Sequence, residues 1–277
     1  QHWDAYRFEQ AYVRTHISGL IKFPIHVYAT TSGMAAFTTI LNYLILEKKA
    51  TGPVLIGESI WFENKLLLQS AFANNYITIP QSQTQAITDA IIQQAPSIIF
   101  LDTLENSPDG TLTDILTIIK ALVTHATKET YLVIDNTCLS LFFQPLRYIF
   151  GKRSLVRLIV FESLNKYHQF GMDRTTGGIL WHYGGDTGKL FDYRIHLGTN
   201  MPDSTVASLP SPNRIHLTRR LLRHSRNAHT LSHSLQQWID THPNSPFTRI
   251  VYPGLANHPS YELTKHIRFH GSFFTIE

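Results

Sequence analysis

Residues 156–161, VRLIVF, run straight into ESLNKY at 162–167, which sets an apolar strand directly against Ser163, Asn165 and Lys166. The branched and aromatic run has the composition of a buried strand. A lysine just past such a strand is unusual, because an ammonium in apolar surroundings is costly unless paired or neutral. A neutral lysine attacks aldehydes. A salt-bridged lysine in an exposed loop is the competing expectation from these residues alone.

The same pattern recurs on both sides. YLVI at 131–134 ends on Asp135 and Asn136, and SIIFL at 97–101 ends on Asp102, with Asn106 four residues on. Further short strands fall at 53–56, 77–79 and 178–181, and helical stretches at 33–46, 64–72, 84–94 and 112–125. This alternation predicts an α/β fold with a mostly parallel sheet. In such sheets ligands gather at the carboxyl ends of the strands, where all three polar clusters lie.

Past residue 210 the pattern changes. A helical connector is expected over 211–240, and strands over 248–252 and 272–276. The expected division is a large domain over 1–210, a connector over 211–245, and the truncated start of a small α+β domain over 246–277. Roughly thirty residues cannot build a core of their own. The closing FFTIE strand is expected to have nothing left to pair with, so that the chain is a fragment or a partner completes it.

Composition removes several classes. Hydrophobic residues make up 43% and charged residues 16%, which fits a globular subunit whose surface is partly covered. One cysteine allows no internal disulfide and fits a reducing compartment. No apolar run reaches about 18 residues and no signal-peptide pattern opens the chain, so a cytoplasmic protein with no membrane partner is expected. The basic stretch Arg214 to Arg226 carries Leu217 and Leu221 at helical spacing. It reads as an amphipathic helix rather than a nucleic-acid surface. His224, His229 and His233 have no acidic or cysteine companions, so no metal is expected.

Two further positions have a chemistry of their own. Ser32, Gly33 and Met34 open a helix whose free amides and dipole favour an anion such as phosphate. A carboxylate at Asp135 suits the protonated ring nitrogen of pyridoxal phosphate, although a capping aspartate fits as well. Cys138 reads as a core residue.

Taken together, these residues resemble the cystathionine synthase and lyase family, fold-type I pyridoxal-phosphate enzymes of cysteine and methionine metabolism. Thr31 to Ala36 is similar to its SSGMAA, Asp135 to Thr137 to its DNT, and Ser163 to Tyr167 to its S-x-T-K-Y. Val251 to Leu255 with His258 and Pro259 is similar to its YPGL-x-x-HP. The resemblance implies pyridoxal 5'-phosphate held as a Schiff base on Lys166. Asp135 would pair with the ring nitrogen, and Ser32, Gly33, Met34, Ser163 and Asn165 would surround the phosphate. Asn106 would meet the ring hydroxyl with Asp102 behind it, and Trp61 would stack on the ring. It also implies a small amino-acid substrate, elimination or replacement at the β or γ carbon, and a homodimer or homotetramer.

Departures from the pattern bear on function. Trp61 stands where the family has a tyrosine, and it stacks without serving as an acid or base. Asn165 stands for a threonine, and its amide still donates. Ser107 separates Asn106 from Pro108, and Phe170-Gly171 stands for Gly-His. The family's Tyr-x-Arg segment and its carboxylate-binding arginine are expected to lie outside this sequence. A homologue that keeps the fold as a cofactor-binding or assembly subunit is the alternative expectation.

Overall fold

Alternation along the strands decides the layering. On residues 156–163, Leu158 and Val160 face one layer while Ile159 and Phe161 face the other, because successive side chains leave a strand on opposite faces. The computed structural model describes residues 3–17, 25–151, 154–185, 188–265 and 267–277. Its elements begin with α1 (Trp3–His16), β1 (His26–Thr30), α2 (Gly33–Leu46), β2 (Val54–Gly57), α3 (Phe62–Ala71) and β3 (Tyr76–Ile79). Next come α4 (Thr84–Gln94), β4 (Ile98–Asp102), α5 (Ile115–His125), β5 (Thr130–Asp135), α6 (Leu146–Ile149), β6 (Val156–Ser163) and β7 (Gly178–Tyr183). The chain closes with α7 (Gly188–His196), α8 (Asp203–Ser208), α9 (Arg214–Thr241), β8 (Ile250–Val251), α10 (Tyr261–Thr264) and β9 (Thr275–Ile276).

The first seven strands form one sheet in the order β1-β7-β6-β5-β4-β2-β3. The ladders joining β3, β2, β4, β5 and β6 are parallel, and β7 runs antiparallel to both β6 and β1. The mostly parallel α/β sheet expected from the sequence is therefore present. Phe37, Ile40 and Leu44 of α2 and Leu68 of α3 cover one face with Ile56, Phe100 and Phe161. Phe8 and Tyr12 of α1, Ile87 of α4, Ile118 of α5 and Leu217 of α9 cover the other. Burial of this kind contributes about 1.5–3 kcal/mol for each large apolar side chain.

Several boundaries differ from expectation for local reasons. Helix α5 starts at Ile115, not residue 112, because Asp114 caps it, accepting from the Thr117 amide at 3.0 Å. Leu112 instead bridges Leu104. Helices α1 and α7 and strand β1 were not expected. The closing strand does have a partner: β9 pairs antiparallel with β8, Ile250 opposite Ile276 and Val251 opposite Thr275. That corrects the expectation of an unpaired FFTIE. The small sheet borrows its core from α9, where Ala228 packs with Ile250, Tyr252 and Leu255. The buried Tyr252 hydroxyl donates toward Ser225 O and Gly271 O, both 3.2 Å away. Among the described residues, no helix is long and apolar enough to cross a membrane.

Candidate cofactor site

Strands β4, β5 and β6 end side by side on Asp102, Asp135 and Ser163. In front of them lies a cavity of about 520 Å³. Ser32, Gly33, Met34, Trp61, Asp102, Asn106, Asp135, Ser163, Asn165 and Lys166 all line it. The fold thus brings every expected site residue to one place, from segments more than a hundred residues apart.

The wall beside β6 is the start of α2. Ser32 caps this helix, its Oγ accepting from the Ala35 amide at 2.9 Å. The amides of Gly33 and Met34, in the first turn, have no acceptor within the helix. A side chain at Gly33 would put a Cβ 3.0 Å from Ser163 Cβ, so glycine is what lets this turn lie against β6. Gly178, which opens β7, has the same role more severely. A Cβ there would sit 2.1 Å from Ser32 O and 2.7 Å from Gly33 N. We expect Gly178→Ala to push the start of α2 off the sheet and to weaken pyridoxal-phosphate binding about tenfold or more. Titrating the cofactor into the protein measures this, and an affinity within twofold of the parent would refute it.

Asp102 organises the opposite wall. Its Oδ2 accepts from the Trp61 amide and from Asn106 Nδ2, each at 2.9 Å. The four-residue spacing of Asp102 and Asn106 therefore produces a direct contact. Trp61 is partly exposed and its indole Nε1 donates to Glu63. Asn165 turns its Oδ1 to the Gly177 amide at 2.9 Å, which leaves its NH₂ as the donating end.

Electrostatics make the site unusual. Asp102 and Asp135 are register partners on adjacent strands. Burial, then the charge of Asp135, holds Asp102 well above the usual carboxylate range. Asp135 is pushed up to about 6, first by burial, despite accepting from the Thr137 amide at 2.9 Å; Glu162 raises it further and Lys166 lowers it. Lys166 is exposed at the cavity wall, not enclosed by apolar residues. Of the two settings the residues left open, the exposed one is found, without a salt bridge among the described residues: the turn beyond Ser163 carries the lysine out over the cavity. Among the described residues, no arginine lines this space.

Tyr167, Cys138, Ser272 and Phe273 also line the cavity. Cys138 is thus a wall residue and not simply core, and its place after Asp135-Asn136-Thr137 was the available signal. Ser272 and Phe273 come from the C-terminal segment, which the Tyr167 hydroxyl reaches through Ser272 Oγ at 2.7 Å. Nothing near them in sequence signals this.

The donor set fits pyridoxal phosphate. A helix start with free amides beside a serine suits a phosphate. A raised carboxylate with a second acid behind it suits a protonated ring nitrogen, whose positive charge would relieve the pair. A lysine faces the same space. Fold and cavity together define a fold-type I pyridoxal-phosphate protein. Residues 13–276 match the family of Cys/Met metabolism PLP-dependent enzymes, and the chain belongs to that family.

Cystathionine gamma-lyase of Rattus norvegicus is 27% identical over 87% of this chain and 56% of its own length. Methionine gamma-lyase of Arabidopsis thaliana is 24% identical over 86% of this chain and 50% of its own. The chain thus spans about half the length of the curated relatives it matches. Among solved structures, cystathionine gamma-lyase from Lactobacillus plantarum complexed with L-serine superposes with a TM-score of 0.76. It is 20% identical, over 99% of this chain and 66% of that one. Cystathionine gamma synthase from Xanthomonas oryzae pv. oryzae in complex with cystathionine gives 0.75, at 20% identity, over 99% and 65%. These likenesses carry the fold.

Proposed function

We propose that this chain belongs to a pyridoxal-phosphate-dependent enzyme of sulfur amino acid metabolism, acting on a small amino acid by elimination or replacement at its β or γ carbon. The observation that carries this reading is the single cavity holding Lys166, Asp135 and the start of α2. Bound there, pyridoxal phosphate supplies an electron sink for a carbanion at the substrate Cα. Lys166 would hold the cofactor and would move protons at the substrate carbons. Asp135 keeps a proton on the ring nitrogen. Gly33 and Met34 amides with Ser163 bind the phosphate, and Asn106, braced by Asp102, meets the ring hydroxyl. Trp61 covers the ring and excludes water.

The domain division belongs to the same proposal: a cofactor-binding unit over 1–210, a connector over 211–245, and the start of a smaller domain over 246–277. So do a cytoplasmic location and assembly as a homodimer or homotetramer. A second reading, a cofactor-binding subunit without turnover, is favoured by Trp61, whose indole is tied to Glu63 and offers no acid or base.

Borohydride reduction of the cofactor-loaded protein, followed by peptide mapping, tests the assignment. The adduct is expected on Lys166. An adduct on Lys189, which pairs with Glu47 away from the cavity, would refute it. Incubation with cystathionine, homocysteine or O-acetylhomoserine then separates the two readings, since the subunit reading predicts no product.

A further inference from the structure

Behind the cavity, on the side of β6 turned toward α1, lies a buried carboxylate that the proposed chemistry leaves unused. Glu162 stands between Phe161 and Ser163, so strand alternation sends its side chain away from the cavity. It is 2% exposed. Its Oε1 accepts from Asn136 Nδ2 at 3.1 Å, and its Oε2 accepts from Ser140 Oγ at 2.9 Å and from His168 Nε2 at 3.0 Å. Tyr12 of α1 is a further donor. Burial, followed by the charge and hydrogen bond of Glu162, holds its phenol well above the ordinary range.

Glu162 and two of these partners, Asn136 and His168, lie within two residues of the cofactor site. Asn136 follows Asp135, Glu162 precedes Ser163, and His168 lies two residues past Lys166. The Asn136 amide is fixed by three acceptors, since Nδ2 also faces Ser140 O at 2.9 Å and Phe143 O at 3.1 Å. Ser140 has a φ of 45°, a left-handed conformation that a serine holds only when its surroundings impose it. Its hydroxyl bond to Glu162 is one such constraint.

His168 Nε2 carries the proton in its pair, because an ionised carboxylate only accepts. The His168 ring stacks at 5.4 Å on His16, which stacks in turn at 4.5 Å on Tyr12. Burial above all pushes His16 down to about 2, so it packs as a neutral ring. By contrast, no hydrogen bond or ion pair among the described residues fixes the Lys166 side chain. Its direction is set by the turn that carries it.

We propose that Glu162 and His168 are positioning residues, the Glu162 carboxylate being the common anchor that holds the Lys166 turn and the Asp135–Asn136 segment in fixed relation. This deepens the reading of Lys166 and Asp135 as cofactor residues and rests on it. A merely structural hydrogen bond would stabilise the fold without controlling the turn.

The test compares His168→Leu, which deletes the donor, with His168→Gln, whose amide still reaches a carboxylate. Amide hydrogen exchange of residues 164–170 in the cofactor-free chain reads the anchoring. Pyridoxal-phosphate affinity reads its consequence. For His168→Leu we expect exchange in the turn about tenfold faster and cofactor binding about tenfold weaker, both restored to within about threefold in His168→Gln. Glu162→Gln, which removes charge at constant volume, should shift both readouts the same way, and it serves where His168→Leu does not fold. The proposal is overturned if His168→Leu matches the parent, or if the leucine and glutamine variants are indistinguishable. If the parent gives no borohydride adduct on Lys166, the functional reading fails, yet the exchange comparison still decides the anchoring.

Discussion

Asp135→Asn is expected to weaken pyridoxal-phosphate binding while making the cofactor-free protein more stable. The two effects have one cause. Asp135 is raised to about 6, mainly by burial, with the charge of Glu162 adding to the rise and Lys166 only partly opposing it. A folded-state value above the ordinary one means that the native protein binds the proton more tightly than the unfolded chain. Stability is therefore greatest below the ordinary carboxylate value, declines as pH rises toward about 6, and stays low above it.

Asparagine removes that dependence. At pH 8 the cofactor-free variant should gain on the order of 2 kcal/mol, and at pH 4 almost nothing. Relief of Asp102 adds to this, since the Asp135 charge is one of the two causes that raise it. The loaded protein should respond in the opposite direction. A charge-assisted hydrogen bond to the ring nitrogen contributes about 1.5–3 kcal/mol, so the dissociation constant should rise about tenfold to a hundredfold. Any turnover should fall further, because an amide cannot keep the ring nitrogen protonated. Melting curves at pH 4 and pH 8, with cofactor titrations beside them, check both halves. Equal cofactor affinity in parent and variant would remove Asp135 from the site.

Much of this site was readable in the sequence because its residues sit at strand ends. Uninterrupted apolar runs mark where the buried strands stop, and polar residues at those ends lie at the crevice: Asp102 and Asp135 directly follow their runs, whereas beyond Phe161 it is Ser163, one residue past Glu162, that faces it. For Lys166 the residues left two settings open, buried or exposed. Whether a turn carries a side chain inward or outward depends on tertiary partners such as the Glu162–His168 pair, which local pattern does not encode. The role of Gly178 was also invisible, because a glycine's value is the approach it permits, here of the Ser32 carbonyl just past the neighbouring strand β1. Strand β1 was missed for a similar reason. HVYAT is short, begins on a histidine and ends on a threonine, and it is a strand because β7 offers it a five-residue antiparallel ladder. Helix α1 did have a signal, with Ala5, Phe8 and Tyr12 at helical spacing and all buried.

The docking of α1 leads to the largest stability effect expected in the molecule, at Arg194. Its Nη1 donates to Glu9 Oε1 and to Ala29 O, the latter at 3.3 Å, while Glu9 Oε1 accepts the Ala29 amide at 2.8 Å. Arg194 is 7% exposed and Glu9 5%. A pair so deeply placed adds little over a well-packed apolar pair, but removing one member leaves the other charge buried alone, at a cost of about 3–5 kcal/mol. Arg194→Met should therefore lower the melting temperature by about 10 °C, taking roughly 2–4 °C per kcal/mol for a chain of this size. Glu9 is already raised by burial, and Arg194 is the main influence lowering it. Without the arginine it should rise further. The loss should then be small near pH 4 and grow toward neutral pH as the lone carboxylate is forced to ionise. Glu9→Gln added to Arg194→Met removes the stranded charge and keeps an acceptor for Ala29, so the double variant should recover most of the stability. Because α1 also brings Tyr12 and His16 against Glu162 and His168, the single variant should speed exchange in the Lys166 turn, whereas the double variant should not. A single variant no less stable than the double at pH 7 would mean that Glu9 finds water or another partner, and that α1 is held by its apolar face alone.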